Sequence, residues 1–124
     1  RKMNNNPQRT IFDIIVPEGR VRLSAKYHEA VKAEGGAMIF CVGQKLLVYT
    51  IGEFKKIEAS LSAKAEKSES ICRFRRDFVE NAIECDCDEN GYIRIPARLM
   101  GQAGLKNQIM YSEFVDHIEI DRSE

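Results

Sequence analysis

Arginines supply most of the chemistry in this sequence, and they recur in one setting. Arg20 and Arg22 alternate with Val21 and Leu23, and Arg94 alternates with Ile93 and Ile95. Each set follows a turn that carries a glycine, Gly19 or Gly91. A strand turns alternate side chains to opposite faces, so burying the apolar set points Arg20 and Arg22 outward in one segment and Tyr92 and Arg94 outward in the other. Lys26 and Arg98 follow in the first turn of the next helix. A guanidinium on such an edge neutralises phosphate and donates a pair of hydrogen bonds to guanine, so the chemistry on offer is nucleic-acid recognition. A second basic group, Arg73, Arg75 and Arg76, reads as the solvated side of a helix whose apolar side holds Phe74 and Phe78. Asp77 and Glu80 stand within ion-pair spacing of it.

Other chemistries find little support. Cysteines occur at 41, 72, 85 and 87, two of them inside apolar stretches, and read as reduced thiols. Cys85-Asp86-Cys87 is a C-x-C spacing, and the histidines, His28 and His117, stand apart. Zinc needs four ligands from clustered pairs, so buried thiols on alternate strand residues are the favoured reading. Cys85, Cys87 and His117 are the one conceivable metal nucleus. No paired nucleophile and base and no phosphate-cradling glycine loop are present, so the sequence predicts neither an enzyme nor a cofactor nor a small-molecule substrate. The 19 basic and 19 acidic residues balance. A nucleic-acid surface must therefore be a local concentration of positive charge.

The elements that must position these residues follow from periodicity. Ile11 to Val16 is a β-branched run closed by the turn Pro17-Glu18-Gly19, and Arg20 to Leu23 is the next strand. Ser24 suits the N-cap of a helix from Ala25 to about Ala33, which Gly35-Gly36 stops. Ala37 to Val42 and Leu46 to Ile51 are strands joined by a turn at Gly43. Glu53 to Ser62 and Ser70 to Ala82 carry apolar residues at a helical period, with a turn over 64–68 between them. Ile83 to Cys87 is a strand, Asp88-Glu89-Asn90-Gly91 a turn with Asn-Gly suited to positive φ, and Tyr92 to Ile95 a strand. Pro96 opens a helix that reaches about Gln102 and stops at Gly104. Ile109–Tyr111 and His117–Ile120 are the last strands.

The opening pattern thus returns. Gly19 and Gly91, Arg22 and Arg94, and Ala25 and Ala97 are each 72 positions apart, with Val21 matching Ile93, Leu23 matching Ile95 and Lys26 matching Arg98. The sequence predicts one domain, 1–124, made of two repeats at about 9–51 and 83–121 around central helices at 52–82. With 44 % hydrophobic residues in 124, it can build a core. No apolar run approaches a membrane span. The polar start from Arg1 to Thr10 predicts no signal peptide, Met3 as initiator, and a poorly ordered tail through Pro7.

The turn ending in Gly-Arg, alternating apolar residues and a basic short helix, occurring twice around a helical pair, resembles the MraZ family of bacterial transcriptional regulators. The likeness runs from about Ile11 to Asp121 and is most specific from Cys87 through Arg98, in Ala103-Gly104-Leu105, and in Arg73 to Phe78 leading into Asn81-Ala82. It implies an α+β fold: a tandem duplicated swapped-hairpin, AbrB-like β-barrel with short helices and a central helical pair, assembled as a ring-shaped homo-oligomer. It implies sequence-specific binding of double-stranded DNA at a promoter of the division and cell-wall gene cluster, in a cytoplasmic, nucleoid-associated protein. The family reads DNA through an Asp-x-x-x-Arg motif at each turn. Here copy one has Val16 at the Asp position and keeps Arg20, whereas copy two keeps Asp88 and has Tyr92 at the Arg position. Ser24 replaces the usual proline of copy one. Partnering within a copy leaves both motifs broken; partnering between copies, the preferred reading, leaves Asp88 with Arg20.

Two function classes follow. One is a DNA-binding regulator using Arg20, Arg22, Lys26, Arg94 and Arg98, with Gly19, Asp88 and Gly91 shaping the turns. The other is an oligomeric structural or interaction protein of the same fold with weakened or lost DNA binding.

Overall fold

The structure is a computed structural model and describes residues 7–15, 17–65 and 68–123. The expected initiator Met3, Val16 at the end of the first strand, and the middle of the 64–68 turn lie outside the described residues.

Alternating apolar residues build a six-stranded antiparallel sheet. Its strands are β1 (Arg9–Ile14), β3 (Ala37–Val42), β4 (Lys45–Thr50), β5 (Ile83–Cys85), β7 (Gln108–Glu113) and β8 (Ile118–Arg122), in the spatial order β1-β7-β8-β4-β3-β5. A separate two-stranded ribbon joins β2 (Arg20–Arg22) to β6 (Tyr92–Arg94). The helices are α1 (Ala25–Glu34), α2 (Ile51–Ala65), α3 (Glu69–Asn81) and α4 (Ala97–Ala103).

Strand periodicity sends two different residue sets to the two faces of the sheet. Ala37, Ile39, Leu46, Val48, Ile109, Tyr111, Ile118 and Ile120 face a core shared with the ribbon and with α1 and α4. Phe40 and Tyr49 face the opposite side, where Phe54 of α2 and Phe78 of α3 complete a smaller aromatic cluster. Phe78 stacks on Phe54 at 4.9 Å and meets Phe40 edge-on at 4.6 Å. Each buried aliphatic side chain in the larger core contributes ~1.5–3 kcal/mol relative to exposure.

Five expectations need correction. The β-barrel does not form among the described residues, because the large sheet ends on β1 and β5 and the ribbon strands pair only with each other. The second central helix does not bury Phe74, which is 59 % exposed. No residue of α3 is fully buried, since its one-sided contact with α2 and β3 is made through Phe78. Nor do the α3 arginines pair with Asp77 or Glu80: Arg75 Nε instead donates to Ser62 Oγ of α2 at 2.7 Å. Ile51 opens α2 rather than closing β4, because Thr50 Oγ1 accepts the Glu53 N–H at 3.2 Å and starts the helix early. Cys85 and Cys87 do not share one strand. Cys85 sits in β5, where burial pushes its thiol up to about 12, whereas Cys87 bridges to Ile93 of the ribbon. All four cysteines are free thiols.

Candidate nucleic-acid interface

The ribbon is short because each strand has only three residues before a turn on one side and a helix on the other. Its register pairs Arg20 with Arg94, Val21 with Ile93, and Arg22 with Tyr92. Val21 and Ile93 are fully buried, so Arg20, Arg22, Tyr92 and Arg94 share the outer face. Two further backbone bonds lock the strands reciprocally. Leu23 N–H donates to Gly91 O and Ile95 N–H donates to Gly19 O, each at 2.8 Å. Residues 72 positions apart in the chain thus exchange equivalent bonds across the ribbon.

The two turns differ. At Asp88–Tyr92, Gly91 N–H donates to Asp88 O at 3.0 Å and Asp88 N–H to Tyr92 O at 2.8 Å. The expected Asn-Gly pair places only Gly91 at positive φ, 87°. This is a tight turn ending in a left-handed glycine, which bends the strand as a bulge does. Asp88 Oδ1 holds it from inside, accepting the Asn90 N–H at 2.8 Å and the Tyr92 N–H at 3.0 Å. The other oxygen, Oδ2, lies 3.9 Å from Arg20 Nη1. The Tyr92 N–H above all, with the Asn90 N–H and the Arg20 charge, holds the Asp88 carboxyl below its ordinary range against the opposing desolvation.

At Pro17–Arg20 both Glu18 and Gly19 have φ of 72°. Gly19 is needed there, because a Cβ would stand 3.0 Å from Ile95 O. Glu18 is the sole non-glycine residue at positive φ among the described residues, a conformation that costs an L-residue ~1–2 kcal/mol. Arg20 Nε donates to Pro17 O at 3.2 Å, and Glu18 Oε1 accepts from Arg94 Nη2 at 2.8 Å.

Tyr92 forms the floor of the outer face, with the Arg20 and Arg22 guanidinium carbons 5.3 and 6.0 Å from its ring centre. Arg22 makes no ion pair among the described residues. Lys26 and Arg98 occupy the second positions of α1 and α4, both exposed. α1 is capped by Ser24 Oγ, which accepts the Tyr27 N–H at 3.4 Å, whereas Pro96 begins α4 without a side-chain cap.

The structure therefore brings Arg20, Arg22, Arg94, Asp88, Gly19 and Gly91 to one ribbon and carries Lys26 and Arg98 on the helices behind it. Sequence reasoning missed Glu18; the available signal was a carboxylate where the second copy has Asn90. The conceivable metal nucleus does not assemble. His117 stacks between Tyr49 and Phe114 and directs its ring nitrogens to Asp116 and Glu119, and no group of three potential ligands converges among the described residues. No described helix is long and apolar enough to cross a membrane.

No model of a protein family matches the chain. Its likeness to individual proteins is extensive. It is 37 % identical over 111 residues to the transcriptional regulator MraZ of Desulforapulum autotrophicum, spanning 88 % of this chain and 75 % of that protein. It is 35 % identical to the transcriptional regulator MraZ of Desulfosudis oleivorans, over 90 % of this chain and 76 % of that one. The MraZ of Thermoanaerobacter sp. strain X514 is 31 % identical over 83 % of this chain and 71 % of its own. With the fold and ribbon described above, these likenesses establish that the chain belongs to the MraZ family.

Proposed function

We propose that this chain is a transcriptional regulator that binds duplex DNA through the outer face of the β2–β6 ribbon. The observation that carries the reading is three arginines and a tyrosine on one face of a ribbon whose other face is sealed by Val21 and Ile93. Three residues of strand span ~10 Å, and a two-stranded ribbon fits a major groove about 12 Å wide. Arginine suits the O6 and N7 of guanine, while Lys26 and Arg98 suit phosphates on the flanks. The pattern repeated at 72 positions, joined by reciprocal bonds, supports two copies of one hairpin unit exchanged across a shared ribbon. Names borne by the relatives support promoter DNA as the partner, and the family resemblance points to the division and cell-wall cluster, a ring of subunits and a nucleoid location. One ribbon carries few phosphate contacts, so a ring that repeats it converts modest affinity per site into stable occupancy.

A second reading is an oligomeric structural protein that has lost DNA binding. Arg20 and Arg94 each already face a carboxylate, and the chain has no net charge. A gel shift with a fragment upstream of the division cluster, titrated with salt, separates the two. The regulator shifts the fragment with an affinity that falls steeply as salt rises, each lost phosphate contact lowering the slope by about 0.9, and Arg20→Ala plus Arg22→Ala abolishes the shift. A stable oligomer with no shift at low salt selects the structural reading.

A further inference from the structure

Glu18 stands in a place that folding alone does not explain. Its backbone is left-handed at φ 72°, where the matching residue 72 positions on is Asn90, a better turn former. The two carboxylates that face ribbon arginines are unequal. Asp88 accepts two backbone N–H groups and so builds its own turn. Among the described residues Glu18 accepts from no backbone group; it meets Arg94 Nη2 at 2.8 Å, and both side chains are 67 % exposed, against 37 % and 41 % for Arg20 and Asp88. An ion pair this open contributes little to stability. A carboxylate projecting from a face that meets phosphates is repelled by them, unless it lands on a donor.

The major groove offers such a donor, the N4 amino group of cytosine, beside the O6 and N7 acceptors of its paired guanine. We propose that Glu18 and Arg94 form a specificity-determining pair for a G·C base pair: Arg94 donates to the guanine edge while Glu18 accepts from the cytosine amino group. The contact at Arg94 Nη2 engages one Glu18 oxygen, leaving Oε2 for cytosine and the remaining guanidinium N–H groups for guanine. The pair joins the two halves of the ribbon, so one base pair is read by residues 76 positions apart. This inference rests on the ribbon being the DNA-binding face.

The test is selection of bound duplexes from a pool with randomised positions, using the whole protein as wild type, Glu18→Gln, Glu18→Asn and Arg94→Ala. Glu18→Asn relieves the backbone conformation, so it retains the fold if Glu18→Gln does not. Wild type is expected to enrich a G·C pair at one position where both Glu18 variants discriminate about tenfold less, with other positions unchanged. Identical enriched sequences for wild type and the Glu18 variants overturn the proposal while leaving ribbon binding intact. So does an Arg94→Ala variant that binds every sequence more weakly by one common factor, the mark of a phosphate contact. A wild-type protein that enriches no sequence overturns both this pair and the regulator reading on which it rests.

Discussion

The turn at Pro17–Arg20 and the turn at Asp88–Tyr92 stand at corresponding places and bring glycines to corresponding ends of one ribbon, yet they are held by different means. The second is braced from within: its own aspartate accepts two of its own N–H groups, and its backbone closes on itself. Both turns are tied to the other half by a matching bond, Leu23 N–H on Gly91 O and Ile95 N–H on Gly19 O, but the carboxylate of the first reaches across to Arg94 instead of bracing its own turn. Two segments with a common pattern have divided the work. One supplies a rigid corner, and the other spends local backbone comfort to place charge on the outer face.

Substitutions can break or sharpen that contrast. The largest effect is expected where the halves share a core. Ile93→Ala, at a fully buried position behind the ribbon, should cost ~2–5 kcal/mol in a denaturant titration and weaken both turns together. Glycine replacements should then separate the turns. Gly19→Ala forces a Cβ to 3.0 Å from a backbone carbonyl that cannot move aside, and should cost ~2–3 kcal/mol. Gly91→Ala meets the ring of His28 at 3.2 Å, a wider contact than the backbone carbonyl that Gly19→Ala meets, and should cost ~1–2 kcal/mol. Equal melting shifts for the two would remove the distinction.

Asp88 supports the second turn and touches Arg20, so its loss should be felt on both sides. Asp88→Ala should speed hydrogen exchange at Asn90 and Tyr92, and on DNA affinity it should be non-additive with Arg20→Ala; plain additivity in the double mutant sinks the partnership. Because the folded Asp88 carboxyl titrates below its ordinary value of 3.8, its support is present above that value and fades as pH falls through the lower folded one. Exchange at Asn90 and Tyr92 should therefore rise only in strong acid. The smallest change is Glu18→Asn, which should leave the melting temperature unchanged or raise it by the equivalent of up to ~1 kcal/mol. A clear drop would show that Glu18 serves folding after all.

Much of the fold was legible because it is local. Alternation at Arg20–Leu23 and Tyr92–Ile95 set which side chains point outward, Ser24 and Gly35 marked the ends of α1, and the apolar period of 53–62 marked α2. What escaped depends on contacts between distant segments. Nothing near Val21 specifies that its partner is Ile93, and nothing near β1 specifies that the sheet stays open at its edge. Phe74 followed the helical period of α3, but period cannot say whether a neighbour exists to cover the ring, and here none of the described elements does so fully. The link from Glu18 to Arg94 was invisible for the same reason, joining residues on opposite halves of the chain.

The reciprocal bonds from Leu23 to Gly91 and from Ile95 to Gly19 have a consequence for synthesis. The outer face requires both strands, and its second strand leaves the ribosome some 70 residues after the first. Closing so long a loop is slow compared with forming α1 or the β3–β4 hairpin, so the ribbon should be among the last parts to assemble. A nascent chain, or one broken off before Ile95, displays only half of the arginine face. The outer face is thus complete only once Tyr92–Arg94 has paired with Arg20–Arg22, late in the order of assembly.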